Sequence, residues 1–499
     1  MAEYIPINNL LNTLREIETP VACVAKENKN WGDWLLDVKQ AQHFFSSREE
    51  KTWALYTDDT YEFLVLLFAL WGANKIACVP GSNQPAVIDD IGKYVELFVG
   101  DFPNLADDAT NEMSSDRLDK KCYAGLSDIK RSVSIDPLDI SSDNKSALDT
   151  VLDINAIVLQ VFTSGSSGEP ELIPKSLSQL TEEIDNIHLL WESNGKEAVV
   201  FSTVSHHHIY GLLFRALWPL AEGNVFDNDL CEFFEDIERR ATNIKKMVVI
   251  SSPTHLSRIP QNSQWLEIKK SCQAVFSSGA PLPTVASVDA KKQFGFSPIE
   301  VFGSSETGGI AWRQQEKDRD VRWKPFQGID VSIETNSRCL QIRSPYLPTQ
   351  EEGEWYVTSD KVQFDQGSDE FQLLGRIDNI VKVEGKRVSI SEMERKLKEH
   401  EWIEDARAVL LSGNRTEIGV VAVLSALGNG AFRHTTRFQF NKRIQAYLLN
   451  FFERPVLPRR WRFVEKLPFN TQGKVTQKSL LDLFSSGDGS GKSKSGENK

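Results

Sequence analysis

A chain of 499 residues is longer than the roughly 250–300 residues that one hydrophobic core supports, so we expect at least two domains. Hydrophobic residues make up 40% and charged residues 25% of the chain, which is typical of a globular protein and excludes a disordered or fibrous one. The six cysteines show neither a C-x-x-C spacing nor a Cys/His cluster, which argues against a disulfide framework and a zinc site.

The net charge of −13 is distributed unevenly along the chain. Residues 379–499 contain 22 Lys and Arg against 13 Asp and Glu, whereas residues 1–378 contain 35 against 57. This asymmetry indicates two bodies with different partners. The basic C-terminal part suits binding to phosphates or to an acidic protein. The alternative is that its charges are only solvated and bind no partner.

The N-terminal residues lack the basic region and the long apolar run of a signal peptide. The longest apolar run, from Phe63 to Trp71, has about half of the ~20 residues that a membrane-spanning helix needs, so it predicts a buried helix. We therefore expect a cytoplasmic protein with no membrane span and no nucleic-acid partner.

Apolar runs that end in Gly, Ser or Pro alternate with helical patterns through most of the first 380 residues. The runs are KTWALYT, KIACVP, INAIVLQVF, EAVVFSTV, KKMVVISSP, CQAVFSSGA and IEVFGSSE. Strands that feed helices in this way are typical of parallel α/β sheets, in which ligands bind at the carboxyl ends of the strands. Four runs end in small polar loops, TSGSSGEP, VSHHHIYG, SSGAPLP and GSSETGG, and we expect the chemistry there.

The later part of the chain predicts smaller bodies. Residues 104–150 are polar and charged, which is typical of a surface excursion, and short alternating runs over residues 320–375 predict an antiparallel β subdomain. A turn, a strand and a helix that begins near Ser391 open a small α/β unit. We predict an α/β fold with an N-terminal domain of αβαβα-layered parallel sheets plus the β subdomain (1–377), a small mobile α+β domain (378–484) and a disordered tail (485–499).

The loop after INAIVLQVF suits a polyphosphate, because it offers backbone N–H groups beside two glycines and four hydroxyl groups. It lacks the G-x-x-x-x-G-K-[ST] spacing of the Walker loop. Glu306 lies in a second Gly-rich loop, where a carboxylate can hold a magnesium ion that bridges phosphate oxygens. Taken alone, these features could also be a polar turn and a solvated glutamate.

Six motifs in order resemble those of the adenylate-forming (ANL) superfamily of acyl- and aryl-CoA synthetases, luciferase and the adenylation domains of peptide synthetases. They are FTSGSSGEP (162–170), SSGAPLP (277–283), FGSSETG (302–308), YVTSD (356–360), GRIDNIVKVEGKRVSISEME (375–394) and LPFNTQGKV (467–475). The resemblance extends over residues 50–484 and implies ligase chemistry that uses ATP and Mg²⁺.

The resemblance also implies which residues bind ATP or AMP. They are Thr163, Ser164, Gly165, Ser166, Ser167 and Gly168 at the β- and γ-phosphates, Gly279, Ala280 and Pro281 beside the adenine, Phe302, Gly303, Ser304 and Ser305 in the next loop, and Asp360 and Arg376 at the ribose or phosphate. Glu306 is the implied magnesium ligand. Glu306, Thr163 and Lys474 are the implied catalytic residues.

Lys474 matches the lysine that the superfamily places between the carboxylate and the α-phosphate. A cation there stabilises the transition state, because the attack brings two anions together; an exposed loop lysine is the alternative. The resemblance further implies that Asp378 is a hinge. The C-terminal domain would swing about it after adenylation and present Gly385 and Lys386 to the acceptor thiol.

The phosphate loop departs from the superfamily pattern, because Glu171 stands where a lysine is usual. A carboxylate that pointed inward would repel phosphate, so we expect Glu171 to face solvent and Lys175 to supply the missing cation. Phe302 replaces the usual tyrosine and Ser359 the usual glycine, and we expect both replacements to be tolerated.

The acyl pocket is expected around STVSHHHIYGLLFRALWPL (202–220), with His208, Tyr210 and Gly303 as its residues. Amino-acid-activating relatives place an aspartate in this segment to pair the substrate's ammonium. No Asp or Glu occurs between Phe201 and Leu220, which favours an aromatic or aliphatic acid. Three adjacent histidines could instead bind a metal, but consecutive residues rarely converge on one ion.

Within the superfamily the chain looks closest to the stand-alone AMP-ligases of bacterial aryl-polyene and fatty-acid-type gene clusters. This implies transfer of the acyl group to the phosphopantetheine thiol of an acyl carrier protein. A ligase that uses free coenzyme A is the first alternative, and a non-catalytic adenylate-binding protein or a luciferase-like oxidase is the second.

Overall fold

The computed structural model describes residues 3–24, 27–102, 122–123, 125–132, 150–164, 170–195, 197–260, 265–315, 321–348, 354–376, 380–383, 386–411, 417–452, 454–469 and 475–485. The chain divides into two compact units, Met1–Val331 with Ile342–Trp355, and Ser332–Gln341 with Tyr356–Lys499. This division falls before the expected boundary at residue 377, because the antiparallel strands that precede it group with the C-terminal residues. The expected hinge, Asp378, and the expected tail after Ser485 lie outside the described residues.

The first unit contains two sheets built from fifteen strands. The strands are β1 (Pro20–Val24), β2 (Glu27–Asn30), β3 (Thr52–Tyr56), β4 (Ile76–Pro80), β5 (Leu97–Gly100), β6 (Cys122–Tyr123), β7 (Ile157–Ser164), β8 (Pro170–Ser176), β9 (Val199–Ser202), β10 (Val225–Asp227), β11 (Met247–Ser251), β12 (Cys272–Ser277), β13 (Ile299–Ser304), β14 (Gly308–Gln314) and β15 (Lys324–Pro325). Every one of the seven apolar runs identified in the sequence contains one of these strands, so those predictions are confirmed.

Helices cover the strands of the first unit. They are α1 (Trp31–Ser46), α2 (Thr60–Gly72), α3 (Pro85–Ile91), α4 (Leu126–Ser132), α5 (Leu177–Gly195), α6 (Ile209–Gly211), α7 (Trp218–Glu222), α8 (Phe234–Arg240), α9 (Pro253–Leu256), α10 (Trp265–Ser271) and α11 (Thr284–Phe294), with a π-helical stretch Leu212–Leu217 between α6 and α7 and a 3₁₀ turn at Ile7–Asn9. The apolar run from Phe63 to Trp71 lies in α2 and is fully buried, as predicted. Asp59 caps this helix by accepting a 2.8 Å hydrogen bond from the N–H of Glu62.

Both sheets are parallel at the centre, with antiparallel pairs at one edge of the first and at both edges of the second. One has the order β6-β5-β3-β4-β7-β8, in which only the β7–β8 pairing is antiparallel. The other has the order β15-β14-β13-β12-β11-β9-β10-β1-β2, with antiparallel pairs at both ends. Helix α5 contacts β7 and β8 of the first sheet and β11 and β12 of the second, so it forms a layer between them. The predicted layered fold is confirmed.

The described residues from 330 onward form nine strands and four helices. They are β16 (Asp330–Ile333), β17 (Cys339–Arg343), β18 (Tyr356–Phe364), β19 (Phe371–Arg376), β20 (Ile380–Val383), β21 (Lys386–Ser389), α12 (Ile390–Glu399), β22 (Ile403–Leu411), β23 (Glu417–Leu424), α13 (Ala426–His434), α14 (Arg437–Leu448), a 3₁₀ turn at Arg454–Val456, β24 (Arg460–Phe463) and α15 (Gln477–Ser485). The sheets have the orders β16-β17-β18-β19, β20-β21 and β22-β23-β24. Helix α12 begins one residue before the expected position, with Ser389 as its N-cap.

All six cysteines are free thiols, four of them buried, in agreement with the sequence. In the part of the chain that the structure describes, no helix has the length and apolarity needed to cross a membrane.

Candidate functional site

The phosphate-loop segment forms a β-hairpin rather than a strand that runs into a helix. β7 and β8 pair antiparallel, with Thr163 opposite Glu171 and Ser164 opposite Pro170. β8 is the edge strand of its sheet, a place that tolerates the two prolines of PELIPKS because one side of the strand makes no ladder hydrogen bonds. The strands that border the expected phosphate loop therefore lie at the edge of the sheet, while the loop itself, residues 165–169, lies outside the described residues.

Glu171 and Lys175 lie on β8 in opposite environments. Glu171 is exposed, as expected for a carboxylate beside a phosphate loop. Lys175 is only 1% exposed, and its Nζ donates to the carbonyl oxygens of Glu306 at 3.0 Å and Tyr346 at 3.1 Å. This ammonium faces the Glu306 loop from the domain interior. Its expected contact with phosphate stays a prediction.

Burial lowers the pKa of Lys175, and the carboxylates of Glu183 and Glu306 oppose that shift. The lysine is therefore a buried cation whose charge is balanced by acidic groups of the same unit.

Glu306 lies in the tight turn between β13 and β14 and is half-buried. Ser304 and Thr307 fix the turn: the N–H of Ser304 donates to Thr307 Oγ1 at 3.1 Å, and the N–H of Thr307 donates to Ser304 Oγ at 3.2 Å. Gly308 closes the turn with φ of +66°, a conformation that favours glycine. The turn holds one carboxylate beside hydroxyl groups, and oxygen donors of this kind suit Mg²⁺, which is usually bound by one or two carboxylates together with substrate phosphates.

Glu183 of α5 supports the far end of the same turn. Its side chain is 5% exposed, and its Oε1 accepts a 2.6 Å hydrogen bond from the N–H of Gly309. Burial raises the pKa of Glu183, while Lys175 and the Gly309 N–H lower it. The sequence analysis did not identify this residue, although a signal was present: Glu183 stands between Leu180 and Ile187 on the apolar face of the helix.

The expected adenine-side loop follows β12. Gly279, Ala280 and Pro281 are exposed, and Gly279 has φ of +92° with open space beside its Cα. Ser278 ties the loop to β13, because its Oγ donates to the carbonyl of Val301 at 2.9 Å. The loop is thus fixed at its base and open at its tip, an arrangement that leaves room for a ring.

Phe302, Gly303, Ser304 and Ser305 lead from β13 into the Glu306 turn. The Phe302 ring is half-buried and lies 5.5 Å from the Trp323 ring, centroid to centroid. A Cβ on Gly303 would stand 2.2 Å from the carbonyl oxygen of Gly308, so only glycine allows the two strands to approach here.

In the second unit, Asp360 and Arg376 face each other across β18 and β19. They are paired in register, and Arg376 NH1 lies 3.9 Å from Asp360 Oδ2. The Arg376 side chain is 46% exposed and that of Asp360 is 16% exposed. The Arg376 side chain is therefore accessible to a ligand, whereas that of Asp360 is more enclosed.

The expected acyl-pocket segment contains two buried histidines before His208. The Nε2 atoms of His206 and His207 lie 2.8 and 3.0 Å from the same carbonyl oxygen, that of Thr57. Burial lowers the pKa of both, to about 3 for His207. These imidazoles are structural groups that anchor the segment, whereas His208 and Tyr210 are half-buried.

Tyr210 begins an aromatic wall in the same segment. Its ring lies 5.0 Å from that of Phe214, which lies 5.2 Å from that of Phe276 on β12. Rings at these separations and tilts pack favourably. The wall gives the segment an apolar side next to a strand that also leads to the adenine-side loop.

Several predicted site residues lie outside the described part of the chain. They are Gly165, Ser166, Ser167, Gly168, Asp378, Gly385 and Lys474, together with the side chains of Thr163, Ser164 and Lys386. Their roles stay predictions.

The chain matches the family model described as AMP-binding enzyme over residues 31–363. A Staphylococcus haemolyticus protein named as a candidate long chain fatty acid-CoA ligase, VraA, is 22% identical over 487 residues, which cover 91% of this chain and 99% of that protein. The 4-coumarate–CoA ligase of Cereibacter sphaeroides is 28% identical over 63% of this chain and 69% of its own. A D-alanine–D-alanyl carrier protein ligase of Staphylococcus aureus is 23% identical over 69% of this chain and 75% of its own.

Among solved structures, ATP-bound MatB from Rhodopseudomonas palustris superposes with a TM-score of 0.76 at 16% identity. The match covers 97% of this chain and 99% of that one. A likeness of this extent shows that the two proteins share a fold.

Proposed function

This chain belongs to the family of AMP-binding enzymes, and we propose that it is an acid–thiol ligase that forms AMP. In the proposed reaction it adenylates an aromatic or aliphatic carboxylic acid with ATP and then transfers the acyl group to a phosphopantetheine thiol. The thiol we propose is that of an acyl carrier protein.

One observation supports the proposal most directly: the hairpin of the phosphate loop and the turn of Glu306 are joined inside the first unit. Lys175 lies on β8, a few residues beyond the phosphate loop, and its ammonium binds the main-chain carbonyl of Glu306. A loop suited to phosphates and a carboxylate suited to Mg²⁺ therefore rest on a common support. An enzyme that handles MgATP needs this combination.

In the first half-reaction, an oxygen of the substrate carboxylate attacks the α-phosphorus of ATP. The bond from that phosphorus to the bridging oxygen breaks, and pyrophosphate leaves. Charge on the phosphates rises during this step, and Glu306 would hold a magnesium ion that would supply Lewis-acid stabilisation. The Ser304–Thr307 hydrogen bonds hold the Glu306 turn in one conformation before ATP arrives, which lowers the reorganisation cost.

The remaining nucleotide and reaction contacts are proposed from the motifs. Asp360 has two acceptor oxygens for the two ribose hydroxyls, and Arg376 beside it supplies a cation for ribose or phosphate. Lys474 contacts the carboxylate and the α-phosphate in the first half-reaction. In the second, the thiol sulfur attacks the acyl carbon, the carbon–oxygen bond to AMP breaks, and the thiol proton is released.

The proposed acid is uncharged apart from its carboxylate. The segment 201–220 contains no Asp or Glu that could pair an ammonium group, and it contributes the aromatic wall that begins at Tyr210. Burying an unpaired ammonium there would be costly. An aromatic or aliphatic side chain would instead pack against rings.

The second unit supports a carrier protein as the acceptor. Residues 426–452 contain four Lys or Arg and no Asp or Glu, and Arg433 and Lys442 are exposed on the adjacent helices α13 and α14. Phe438 on α14 is 73% exposed, so an apolar side chain stands among the cations. Such a surface complements an acidic protein.

Free coenzyme A is the second candidate acceptor, because two of the relatives are named as CoA ligases and one as a carrier protein ligase. Both acceptors share the phosphopantetheine thiol. They differ in what carries the thiol, which is a protein in one case and a nucleotide in the other.

The acceptor is tested by offering one acid, ATP and Mg²⁺ with three thiols in separate reactions: an acidic holo-carrier protein, coenzyme A, and pantetheine. Mass spectrometry of the thioesters gives kcat/KM for each. We expect the carrier protein to exceed coenzyme A by an order of magnitude or more. A preference for coenzyme A of similar size would instead assign the second candidate.

A further inference from the structure

Two oppositely charged side chains are buried in the first unit next to the Glu306 turn. Lys175 is 1% and Glu183 is 5% exposed. Burying a charge costs several kcal/mol unless partners compensate it. An apolar pair in the same place would avoid this cost, so we expect the two charged side chains to have a role besides packing.

The hydrogen-bond partners of these two side chains lie on the main chain of the Glu306 turn and of the strand after it. Lys175 Nζ donates to the carbonyl oxygen of Glu306 itself at 3.0 Å. Glu183 Oε1 accepts from the N–H of Gly309 at 2.6 Å. Lys175 therefore holds the middle of the turn, and Glu183 holds the first residues of β14.

Lys175 also reaches a third segment. Its ammonium donates to the carbonyl of Tyr346 at 3.1 Å, and the Tyr346 hydroxyl accepts from Asn186 of α5 at 2.5 Å. Helix α5 thus contacts the turn through Glu183 and the Tyr346 segment through Asn186. The pair belongs to a network that leaves the turn few ways to move.

The turn packs directly against this network. A Cβ on Gly308 would stand 2.9 Å from Glu183 Oε2 and 2.9 Å from Tyr346 Cδ2. No methyl group fits between the main chain and the two side chains. Glu183 and Tyr346 therefore pack directly against the backbone of the turn.

We propose that Lys175 and Glu183 are positioning residues that set the place of the Glu306 carboxylate and so determine how strongly magnesium contributes to nucleotide binding. The inference rests on the proposed function, because it takes Glu306 as the metal ligand. Neither residue touches the nucleotide in this account. A displacement of about 1 Å at a reacting centre can cost about 10²-fold in rate, so a pair that fixes one main-chain carbonyl can matter as much as a ligand.

The two side chains reach the turn from different elements. Lys175 lies on β8 and Glu183 on α5, and each is hydrogen-bonded to the main chain of the turn or of the strand that follows it. The turn is therefore held from two sides.

The test measures binding of α,β-methylene-ATP, which cannot be cleaved at the reacting bond, by calorimetry with and without Mg²⁺. The variants are Lys175→Met, Glu183→Gln and the double variant Lys175→Met/Glu183→Leu, with the exposed Lys245→Met as the matched control. In the wild type Mg²⁺ tightens binding. We expect Lys175→Met to lose about 10- to 100-fold of that gain, while affinity without Mg²⁺ stays unchanged.

Glu183→Gln separates charge from geometry, because the amide oxygen can still accept from Gly309. We expect it to lose a smaller part of the magnesium gain than Lys175→Met. The double variant separates positioning from stability, since removing both buried charges relieves the cost of leaving one unpaired. We expect its thermal midpoint to recover toward that of the wild type while the magnesium gain remains lost.

A double variant that regains both thermal stability and the magnesium gain would overturn the inference, since the pair would then be structural only. Single variants that fold and keep the full gain would overturn it as well. The wild type also separates this inference from the proposed function. If the wild-type protein binds the nucleotide more tightly with Mg²⁺ but exchanges no pyrophosphate with any acid, the ligase proposal is refuted and the positioning result still stands. If Lys175→Met does not fold, Glu183→Gln and the double variant decide.

Discussion

Glu306 owes its position to the residues around it. Ser304 and Thr307 exchange hydrogen bonds across the turn, and Gly308 closes it at a positive φ. Lys175 donates a hydrogen bond to the main-chain carbonyl of Glu306. The carboxylate is thus presented at one place, and its chemistry can be tested apart from the fold.

Replacing Glu306 by Gln removes the charge of the proposed magnesium ligand at nearly constant shape. We expect acid-dependent pyrophosphate exchange to fall by roughly 10²- to 10³-fold, with an unchanged thermal midpoint. The exposed Glu171, on the phosphate-loop hairpin, is the matched control, and Glu171→Gln should stay close to the wild type. Equal effects of the two variants would remove Glu306 from the mechanism.

Gly308→Ala tests the close packing of the turn. The new methyl group would meet Glu183 and Tyr346 at 2.9 Å and adopt φ of +66°. Gly328 has a similar φ of +77° with nothing within 4 Å of its Cβ position, so Gly328→Ala measures backbone strain alone. We expect Gly308→Ala to destabilise the first unit by about 1–3 kcal/mol more than the control, measured by urea unfolding. Equal losses would show that the turn has room to adjust.

His207 predicts a loss of stability at acid pH. Burial lowers its pKa to about 3, against about 6.5 in an unfolded chain; Tyr56 stacks on the ring, and His206, His208 and Arg215 face it. The neutral form is favoured in the folded state, so its contribution is complete above pH 6.5 and is lost as the pH falls from 6.5 toward 3.

A histidine buried in its neutral form lowers the free energy of unfolding by up to about 1.4 kcal/mol for each unit by which the pH falls within that range. Urea unfolding of His207→Gln between pH 7 and 5 should show a shallower slope by about this amount. His434→Gln, at an exposed site on α13, should keep the wild-type slope. A parallel slope for His207→Gln would contradict the burial argument.

At the scale of elements, the sequence predicts the strands well and their pairing less well. Seven short apolar runs that end in Gly, Ser or Pro correctly located seven parallel strands, because burial on both faces selects such runs. The other parallel strands of the first unit, β1, β5, β6 and β10, were not predicted. The return strand β8 was missed, since PELIPKS contains two prolines and a charge at each end. Only the edge of a sheet accepts that composition, and strand order is not visible in one sequence.

The same limit explains why Glu183 was missed and why the contacts of Lys175 with Glu306 and Tyr346 were not predicted. Both residues act through segments more than a hundred positions away in the chain, at Glu306, Gly309 and Tyr346. Motif spacing reports on residues that act within one loop. Contacts between the loop, the helix and the turn require the fold.

Helices α13 and α14 offer a test of the acceptor at the element scale. Arg433→Glu/Lys442→Glu reverses two exposed charges on the basic surface. We expect KM for an acidic holo-carrier protein to rise about 10-fold or more at low salt and the difference to shrink as salt is added. Pantetheine carries no phosphate and is attached to no protein, so the KM of the variant for pantetheine should equal that of the wild type. Lys245→Glu, on the first unit, is the control; an identical effect of both changes would argue against docking on this surface.

For the molecule as a whole, charge distribution and motif order were informative. The chain has an acidic N-terminal part and a basic C-terminal part, and it forms two compact units. The two units divide near residues 331 and 355, whereas the boundary expected from the sequence lies at residues 377 and 378 and stays a prediction. A motif marks a function such as a hinge, while compactness depends on which strands pack together.

The central claim is that this protein activates a carboxylic acid as its adenylate. The most direct measurement is the exchange of labelled pyrophosphate into ATP with Mg²⁺, over a panel of aromatic, short-chain and long-chain acids, with amino acids as the comparison. We predict exchange that requires an aromatic or aliphatic acid and is absent with amino acids. Exchange with no acid of the panel, from folded protein that binds ATP, would contradict the account.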